Sequence, residues 1–212
     1  MDADIVLVDK PKGITSFDVI RRLRRELNIK KMGHAGTLDP QASGLMIIGI
    51  ERGTKKLEAY LKLPKTYLAR IVVGERRDTG DLEGEIVEEV KVSHLEADAV
   101  EEVLHDMVGT LELPVPVYSA IKRDGQALYK RARRGEDVVP PVKAMIVRAA
   151  TLENITQQGN RMHVTVTFDV ASGTYIRSLA EEFGRRLGYP ATLGDLRRTS
   201  IGDFSVEDAR SI

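Results

Sequence analysis

The sequence predicts an α/β or α+β protein built around a largely antiparallel sheet. Short apolar runs typical of strands alternate with a few amphipathic helical segments over 212 residues. Segments 144–156 and 161–170, separated by a turn at 157–160, predict a long β-hairpin. The glycine turn at 171–175 precedes apolar residues at helical spacing, which indicates a helix packed on the sheet.

The remaining elements follow from the same periodicities and from turn residues. The N-terminal elements are a strand at 5–8, a helix after a capping Ser16, a strand at 45–50 and a short helix at 54–61. Strands at 66–74 and 84–92 are joined as a hairpin by the turn at 78–81, and an acidic amphipathic helix follows at 97–107. The C-terminal part contains a helix with Ile176, Leu179, Ala180, Phe183 and Leu187 on one stripe, and a last helix near the end.

The segment 113–142 differs from this pattern. It begins LPVPVYSAIKRDG, continues as a short basic helix and ends at Pro140 and Pro141. Such a segment is typical of an excursion from the core and not of one of its layers.

Composition excludes several kinds of site. The chain has no cysteine, which excludes disulfides, thiolate catalysis and cysteine-based zinc sites, and its four histidines are scattered. No apolar run approaches the roughly 20 residues of a membrane helix, and the first residues lack the basic leader and apolar block of a signal peptide. We therefore expect a cytoplasmic protein.

The net charge of zero hides an uneven distribution. Residues 75–106 contain twelve acidic and three basic side chains, whereas basic residues gather at 21–31, 54–65 and 122–134. Any one basic block is more often a solvated face, but three in a neutral protein favour a polyanionic partner such as a nucleic acid.

The loop GHAGTLDPQASG, residues 33–44, places one acid, Asp39, among glycines and small polar residues. An isolated Asp-Pro pair is most often a turn or a helix N-cap. Here the apolar run that follows leaves no room for a helix beyond one turn, Pro40 restricts the backbone of Asp39, and the glycines permit close approach by a ligand. These features weaken the turn interpretation and would also suit a rigidly held, chemically active carboxylate, so both interpretations of Asp39 stay open at this point.

Four further residues each have a structural and a functional interpretation. Arg177 lies in the first turn of its helix, where a cation opposes the helix dipole, so either an anion such as a phosphate or Asp39 lies nearby or the side chain reaches water. Tyr67 is a packing residue of its strand or a stacking surface for a base. His34 is a loop-fixing hydrogen-bonder, a phosphate contact or a proton carrier, and Lys55 is a substrate contact or part of a charged face.

Taken together, the motifs resemble one family. Segment 33–56 is similar to the signature of the bacterial tRNA pseudouridine synthase B family, G-H-x-G-x-L-D-P-x-A-x-G-x-L followed by a T-K pair. Further motifs match in the same order, so that the resemblance extends from about residue 5 to about residue 204. They are D-K-P-x-G-x-T-S-x-D (9–18), K-x-Y (65–67), D-T-x-D (78–81), Y-S-A-x-K with Y-x-x-A-R-x-G (118–135), S-G-T-Y-I-R (172–177) and L-R-R (196–198).

The resemblance implies the pseudouridine synthase fold, in which helices flank a central, mainly antiparallel mixed sheet. It also implies an enzyme that isomerises uridine 55 in the T-loop of tRNA to pseudouridine. It implies that Asp39 is the catalytic aspartate, Arg177 its partner and Tyr67 the ring stacked on the target base. The residues that it assigns to the substrate pocket are His34, Lys55 and Leu196.

These residue types suit that chemistry. A carboxylate near the anomeric carbon can act as a nucleophile or as the base that starts elimination to a glycal. A tyrosine face can hold the detached uracil by stacking, worth about 1–3 kcal/mol, while its hydroxyl assists removal of the proton on carbon 5. The reaction needs no metal, nucleotide or redox centre, so we expect no cofactor.

Access to the uridine requires base flipping, because the base is stacked and paired in a folded T-loop. Segment 113–142 matches the thumb with which the family grips RNA. We expect residues 1–212 to form one catalytic domain with this thumb inserted, without the C-terminal RNA-binding domain common in the family. We also expect the protein to act as a monomer on the tRNA T-arm. The basic residues on the thumb are Lys122, Arg123, Lys130, Arg131, Arg133 and Arg134.

Two alternative functions stay open. The first is a guide-dependent, dyskerin-type enzyme that modifies ribosomal RNA within a ribonucleoprotein, which the stand-alone type of thumb motif disfavours. The second is a tRNA-binding chaperone without catalysis, against which Asp39, Tyr67 and Arg177 are all present.

Overall fold

The structure, a computed structural model, describes residues 4–119, 122–123, 126–128, 134, 136 and 138–212. The chain forms two compact units. Unit 1 comprises Met1–Leu68, Phe168–Ser172 and Asp195–Ile212, and unit 2 comprises Ala69–Thr167 and Gly173–Gly194. The single catalytic domain expected from the sequence stays a prediction.

The described residues contain fourteen strands and four α-helices. The strands are β1 (Ile5–Lys10), β2 (Met32–His34), β3 (Ser43–Ile50), β4 (Lys65–Val73), β5 (Glu75–Arg77), β6 (Ile86–Glu89), β7 (Gly109–Pro114), β8 (Lys122–Arg123), β9 (Gln126–Ala127), β10 (Val142–Gln158), β11 (Arg161–Val170), β12 (Ala191–Ile201), β13 (Phe204–Ser205) and β14 (Arg210–Ser211). The helices are α1 (Ser16–Leu27), α2 (Leu57–Lys62), α3 (Ala97–Asp106) and α4 (Ile176–Leu187), with 3₁₀ helices at Glu51–Lys56 and Val206–Asp208. None of the helices in these ranges is long and apolar enough to span a bilayer.

Ten of the strands form one mixed sheet. Its order is β14-β1-β3-β12-β4-β11-β10-β7, with β2 paired to β3 and β13 to β12. The pairs β1–β3 and β10–β7 are antiparallel, whereas β14 is parallel to β1 and β12 is parallel to β3. Strands β4, β11 and β12 contribute residues to both units. The α/β class with a large mixed sheet and flanking helices, predicted from the sequence, is confirmed.

The core of unit 1 is built on β3, whose eight residues are all buried. A strand that is covered on both faces has no polar side, which explains why SGLMIIGI is apolar without alternation. Ile5 and Leu7 of the neighbouring β1 belong to the same hydrophobic cluster. Helix α1 turns Val19, Ile20 and Leu23 inward, each at most 2% exposed, so its arginines lie on other faces.

In unit 2, the two ends of the predicted excursion lie side by side in the sheet. Pro114 of β7 pairs with Val142 of β10, and the amide of Val115 donates to the carbonyl of Pro141 at 3.0 Å. The segment thus leaves and rejoins the sheet at one place, and within it β8 pairs antiparallel with β9. Its function as an RNA-gripping thumb stays a prediction.

Two predictions about the N-terminal half are wrong in detail. The N-cap of α1 is Thr15, which forms a capping box with Asp18, and not Ser16, whose side chain is buried. The hairpin joins β6 to β5 and not to the strand predicted at 66–74. Gly74, at φ +114°, ends that strand, because the chain there adopts a conformation that other residues rarely reach.

The C-terminal part departs further from the prediction. Residues 191–201, for which the sequence pattern predicts no element, form β12, and the predicted last helix is the 3₁₀ turn Val206–Asp208. Strand β12 lies inside the sheet but reads ATLGDLRRTSI. Its polar residues 197–200 all find hydrogen-bond partners within the fold. Polar residues of this kind hide the apolar pattern from which a strand is normally predicted.

Gly44, the second residue of β3, offers a test of this packing. Its φ is +108°, and a Cβ there would lie 2.2 Å from the carbonyl oxygen of Arg198 on the paired strand. We expect Gly44→Ala to lower the free energy of unfolding by about 3 kcal/mol or more, because positive φ and a backbone clash both oppose the side chain. Chemical denaturation with a two-state fit measures this change.

The matched control is Gly13→Ala. Gly13 also has a positive φ, +83°, but a Cβ there would have nothing within 4 Å. This change should lower the unfolding free energy by only about 1–2 kcal/mol, the penalty of the backbone conformation itself. Equal losses in the two variants would contradict the clash with β12.

Candidate active site

Asp39 lies on a loop in unit 1, residues 35–42, which connects β2 to β3 and is called the aspartate loop below. Asp39 itself is exposed, whereas Leu38 and Ala42 are buried. The amide of Ala42 donates to the carbonyl of Asp39 at 3.1 Å, which closes the turn. The loop thus exposes its acid while its apolar side chains are anchored in the core.

The segment before α1 holds the aspartate loop on both sides of its acid. Ser16 Oγ donates to the carbonyl of Leu38 at 3.0 Å and accepts from the amide of the same residue at 2.9 Å. The amide of Gly13 donates to the carbonyl of Pro40 at 2.8 Å. The residues before and after Asp39 are therefore fixed through their backbones, which explains why the Ser16 hydroxyl is buried and does not cap the helix.

Lys10, the last residue of β1, is a fully buried cation. Its ammonium donates to three carbonyls, among them that of Pro40 at 3.2 Å. Burial lowers the pKa of Lys10 to about 8, the Asp39 carboxylate favours the charged form, and Arg198 opposes it. Lys10 is therefore still mainly cationic at neutral pH, attracts the carboxylate of Asp39 and fixes the residue that follows it.

Arg198 of β12 is a second buried cation, with 1% of its surface exposed. Its Nε donates to the carbonyl of Leu45 at 2.8 Å, and its second terminal nitrogen donates to the carbonyl of Gly36 at 3.1 Å. Gly36 has φ +97°, and a Cβ there would come within 3.4 Å of the guanidinium. Arg198 thereby ties the start of the aspartate loop to the strand that follows it.

His34 is half-buried at the end of β2. Burial and the charge of Arg198 lower its pKa below the usual value, against a hydrogen bond with the backbone of Gly36 that favours protonation. Its Nδ1 is buried and has no hydrogen-bond partner within the described part of the chain. A neutral imidazole at pH 7 suits a polar or packing contact better than a charged contact with phosphate.

The other pocket residues predicted in unit 1 lie on three elements. Tyr67, 8% exposed, is on β4, and the half-buried Leu196 is on the neighbouring β12. Lys55 is exposed in the 3₁₀ helix Glu51–Lys56. Unit 1 therefore contains five of the predicted site residues: His34, Asp39, Lys55, Tyr67 and Leu196.

Arg177 lies in the first turn of α4 in unit 2, as predicted, and is 8% exposed. Its guanidinium donates to the carbonyl of Thr79 at 3.1 Å and to that of Tyr118 at 3.0 Å, and it lies 3.6 Å from a carboxylate oxygen of Asp81. It thus joins the D-T-x-D turn and the Y-S-A-x-K motif to α4, a function that the sequence did not reveal. Its pairing with Asp39 stays a prediction.

The thumb residues are only partly described. Arg134 donates to the side chains of Glu136 at 2.9 Å and Gln126 at 2.6 Å. Lys122 and Arg123 are the two residues of β8. The predicted contacts Lys130, Arg131 and Arg133 lie outside the described residues.

Sequence reasoning missed the residues that hold the aspartate loop, namely Lys10, Ser16 and Arg198. All three lie within matched motifs, D-K-P-x-G-x-T-S and L-R-R, but a motif does not state which of its members face inward. A charged residue in a segment that the fold buries is the signal that would have singled out Lys10 and Arg198. Within the described residues, no group of three or more His, Cys, Asp and Glu could hold a metal ion.

The fold defines the class of protein. This chain superposes on a chain in the crystal structure of a Cbf5-Nop10-Gar1 complex with a TM-score of 0.73 and 27% identity, over 98% of this chain and 52% of that one. The fold is that of the pseudouridine synthases.

Sequence comparison gives the family. The model for the TruB family pseudouridylate synthase N-terminal domain matches residues 24–176. A tRNA pseudouridine synthase B from Mycobacteroides abscessus is 41% identical over 99% of this chain and 71% of its own length, and that of Paenarthrobacter aurescens is 39% identical over 100% and 69%. The chain belongs to the TruB family of pseudouridylate synthases. It spans about 70% of the length of these curated relatives and about half of the chain in the Cbf5 complex.

The lowered pKa of Lys10 predicts how the free energy of unfolding changes with pH. The pKa is about 8 in the folded protein against an ordinary value of 10.5. Between these values the unfolded chain binds more protons than the folded one, so the contribution of Lys10 to the unfolding free energy rises with pH in this window. We expect wild type to gain stability relative to Lys10→Met when the pH is raised from 7 to 9.5, as measured by denaturant unfolding at both values.

The control for this comparison is Lys91→Met, because Lys91 is exposed in unit 2. Its difference from wild type should not change between the two pH values. If wild type instead became less stable relative to Lys10→Met when the pH is raised from 7 to 9.5, the folded state would favour the protonated lysine. That result would contradict the effect of burial on the pKa of Lys10.

Proposed function

We propose that this chain converts a uridine of tRNA to pseudouridine, with Asp39 as the catalytic residue. The observation that carries the proposal is the contrast within the aspartate loop: its carboxylate is exposed, whereas the backbone on either side is fixed by Ser16, Gly13 and Lys10. A surface turn does not need four such bonds. A catalytic group gains from them, because misplacement of the reacting atoms is costly to the rate.

The reaction breaks the bond between the anomeric carbon of the ribose and N1 of uracil, and forms a bond from the same carbon to C5. Asp39 supplies the carboxylate either as a nucleophile at the anomeric carbon or as the base that removes a ribose proton. After the uracil turns and rejoins, the proton on C5 must leave and N1 must gain one. Nothing is oxidised or reduced, so side chains alone suffice for the chemistry.

Tyr67 and Leu196 are proposed to contact the base. A buried ring on β4 offers an apolar face for the detached uracil, and the half-buried Leu196 on the adjacent strand offers a wall. The Tyr67 hydroxyl is proposed to take part in removal of the proton on C5. His34 and Lys55 are proposed to contact the sugar and phosphate of the same nucleotide, His34 as a neutral group and Lys55 as an exposed cation.

The finer assignments follow the family. We propose that the target is uridine 55 of the T-loop, that the base is flipped out of the T-arm, and that the basic residues of segment 113–142 grip the RNA. We also propose that the protein works as a monomer in the cytoplasm, without guide RNA or protein partners. The 41% identity to a protein named tRNA pseudouridine synthase B, against 27% to a chain of the Cbf5 complex, favours this over a guide-dependent enzyme.

The decisive experiment compares wild type with Asp39→Asn on an unmodified tRNA transcript. The amide preserves the shape of the side chain but is neither a nucleophile nor a base. We expect modification of one T-loop uridine by wild type and a loss of at least about 10⁴-fold in the variant, in line with the removal of a catalytic nucleophile. Mapping of pseudouridine at single-nucleotide resolution measures the product, and filter binding measures RNA affinity, which should change less than about threefold.

The same assay separates the alternatives. Wild-type protein that binds tRNA tightly but forms no product would support the chaperone function and overturn catalysis. Activity that appears only when guide RNA and partner proteins are added would support the guide-dependent enzyme. Product at a uridine outside the T-loop would refute the substrate assignment while leaving Asp39 as the catalytic residue.

Two substitutions of Tyr67 separate its ring from its hydroxyl. We expect Tyr67→Phe to retain tRNA affinity and to lower kcat by about 10²-fold or more, because general acid–base assistance is lost while the stacking face is kept. Tyr67→Leu should also weaken binding of the flipped nucleotide, by about 1–3 kcal/mol. Single-turnover kinetics over a range of enzyme concentrations gives the rate constant of the bound complex and its apparent dissociation constant. A fully active Tyr67→Phe would exclude the hydroxyl from the chemistry.

A further inference from the structure

An exposed aromatic ring on α1 lies close to two guanidinium groups. Phe17 is 55% exposed, and the guanidinium carbons of Arg21 and Arg24 each lie 5.8 Å from its ring centroid. Helical spacing places these residues on one stripe with Arg25 beside them, away from the buried face of α1. These four residues, Phe17, Arg21, Arg24 and Arg25, are called the α1 stripe below.

Apart from Arg24, which is half-buried and donates to the carbonyl of Met32 at 3.5 Å, the stripe is not explained by the stability of the fold. Phe17 leaves more than half of its surface in water, although the sequence has only ten phenylalanines and tyrosines and no tryptophan. Residues 21–31 contain six basic side chains and one acidic one, so the positive charge is largely uncompensated along the chain. Arg21 forms an ion pair with Asp18, but exposed pairs of this kind contribute little to stability, so the pair does not explain the position of Arg21.

The stripe begins next to the aspartate loop. Ser16, the residue before Phe17, makes two hydrogen bonds with the backbone of Leu38, which in turn precedes Asp39. The capping box of Thr15 and Asp18 fixes the first turn of α1 at this point. The backbone that carries the ring is therefore fixed at the edge of the proposed site, within unit 1.

We infer that the α1 stripe binds RNA beside the target nucleotide, with Phe17 stacked on an unpaired base and Arg21 and Arg25 on phosphates. Aromatic rings stack on any base, and arginine combines charge with a planar face, so the combination fits a single-stranded or looped segment and not an acidic protein surface. That this RNA is the tRNA T-arm rests on the proposed function. The inference adds a contact made by the catalytic unit itself, independent of segment 113–142.

Fluorescence anisotropy with a labelled T-arm stem–loop tests the inference. We expect Phe17→Ala to weaken binding about tenfold, because the stacked base loses its aromatic partner, and Phe17→Trp to bind as wild type, because the indole ring keeps a stacking face. The double variant Arg21→Gln with Arg25→Gln should reduce the slope of log K against log salt by about 1.4, because about 0.7 is expected for each phosphate contact to a single strand.

Lys91→Gln is the matched charge control, because Lys91 is exposed within the acidic stretch 75–106 of unit 2. It should leave the affinity and the salt slope unchanged. Wild-type affinity in Phe17→Ala, or equal loss in Phe17→Trp, would overturn the stacking contact, and an unchanged slope in the arginine variant would overturn the phosphate contacts. Product formation by wild type, measured in parallel, tells a failure of this inference from a failure of the proposed function.

Discussion

The buried guanidinium of Arg198 is the interaction on which the candidate site of unit 1 depends. It bonds to the carbonyl of Leu45, in β3, and to that of Gly36, in the aspartate loop. Its own backbone pairs with Gly44 so closely that no side chain fits there. Arg198 therefore sets the spacing between β3 and β12 and the path of the loop that leads into β3.

A buried cation is unfavourable unless other groups compensate its lost hydration. Lys65, another buried cation, donates to the carbonyls of Leu61 and Leu63, both at 2.6 Å, and burial together with Arg198 lowers its pKa to about 8. Lys10 is compensated in the same way by three carbonyls and by the charge of Asp39. The protein thus stabilises these cations mainly with backbone dipoles. Lys10 and Arg198, which bond to carbonyls of the aspartate loop, place positive charge beside it.

The sequence predicted the elements with strong periodicity and failed where polar residues are buried. Runs such as 45–50 and the stripe of α4 were found because their apolar pattern reflects their burial directly. Strand β12 was not predicted, because Arg198 and its polar neighbours form hydrogen bonds with residues distant in the chain, which no local sequence pattern reveals. For the same reason Asp39 was recognised by its surroundings in the sequence, whereas Lys10 and Ser16, which hold it, became visible only when the contacts were known.

The hydrogen bonds of the aspartate loop explain how a polar loop can stay rigid at a surface. The carbonyls of Gly36, Leu38, Asp39 and Pro40 accept from Arg198, Ser16, Ala42 and Gly13, respectively, and Pro40 also accepts from Lys10. A loop whose carbonyls are engaged within the protein has less to gain from rearranging when a polar ligand arrives. Under the proposed function, the Asp39 carboxylate would meet its substrate without a change in the loop, so that little of the binding energy would be spent on reorganisation. That preorganisation is the physical reason for surrounding one exposed acid with buried cations and a buried hydroxyl.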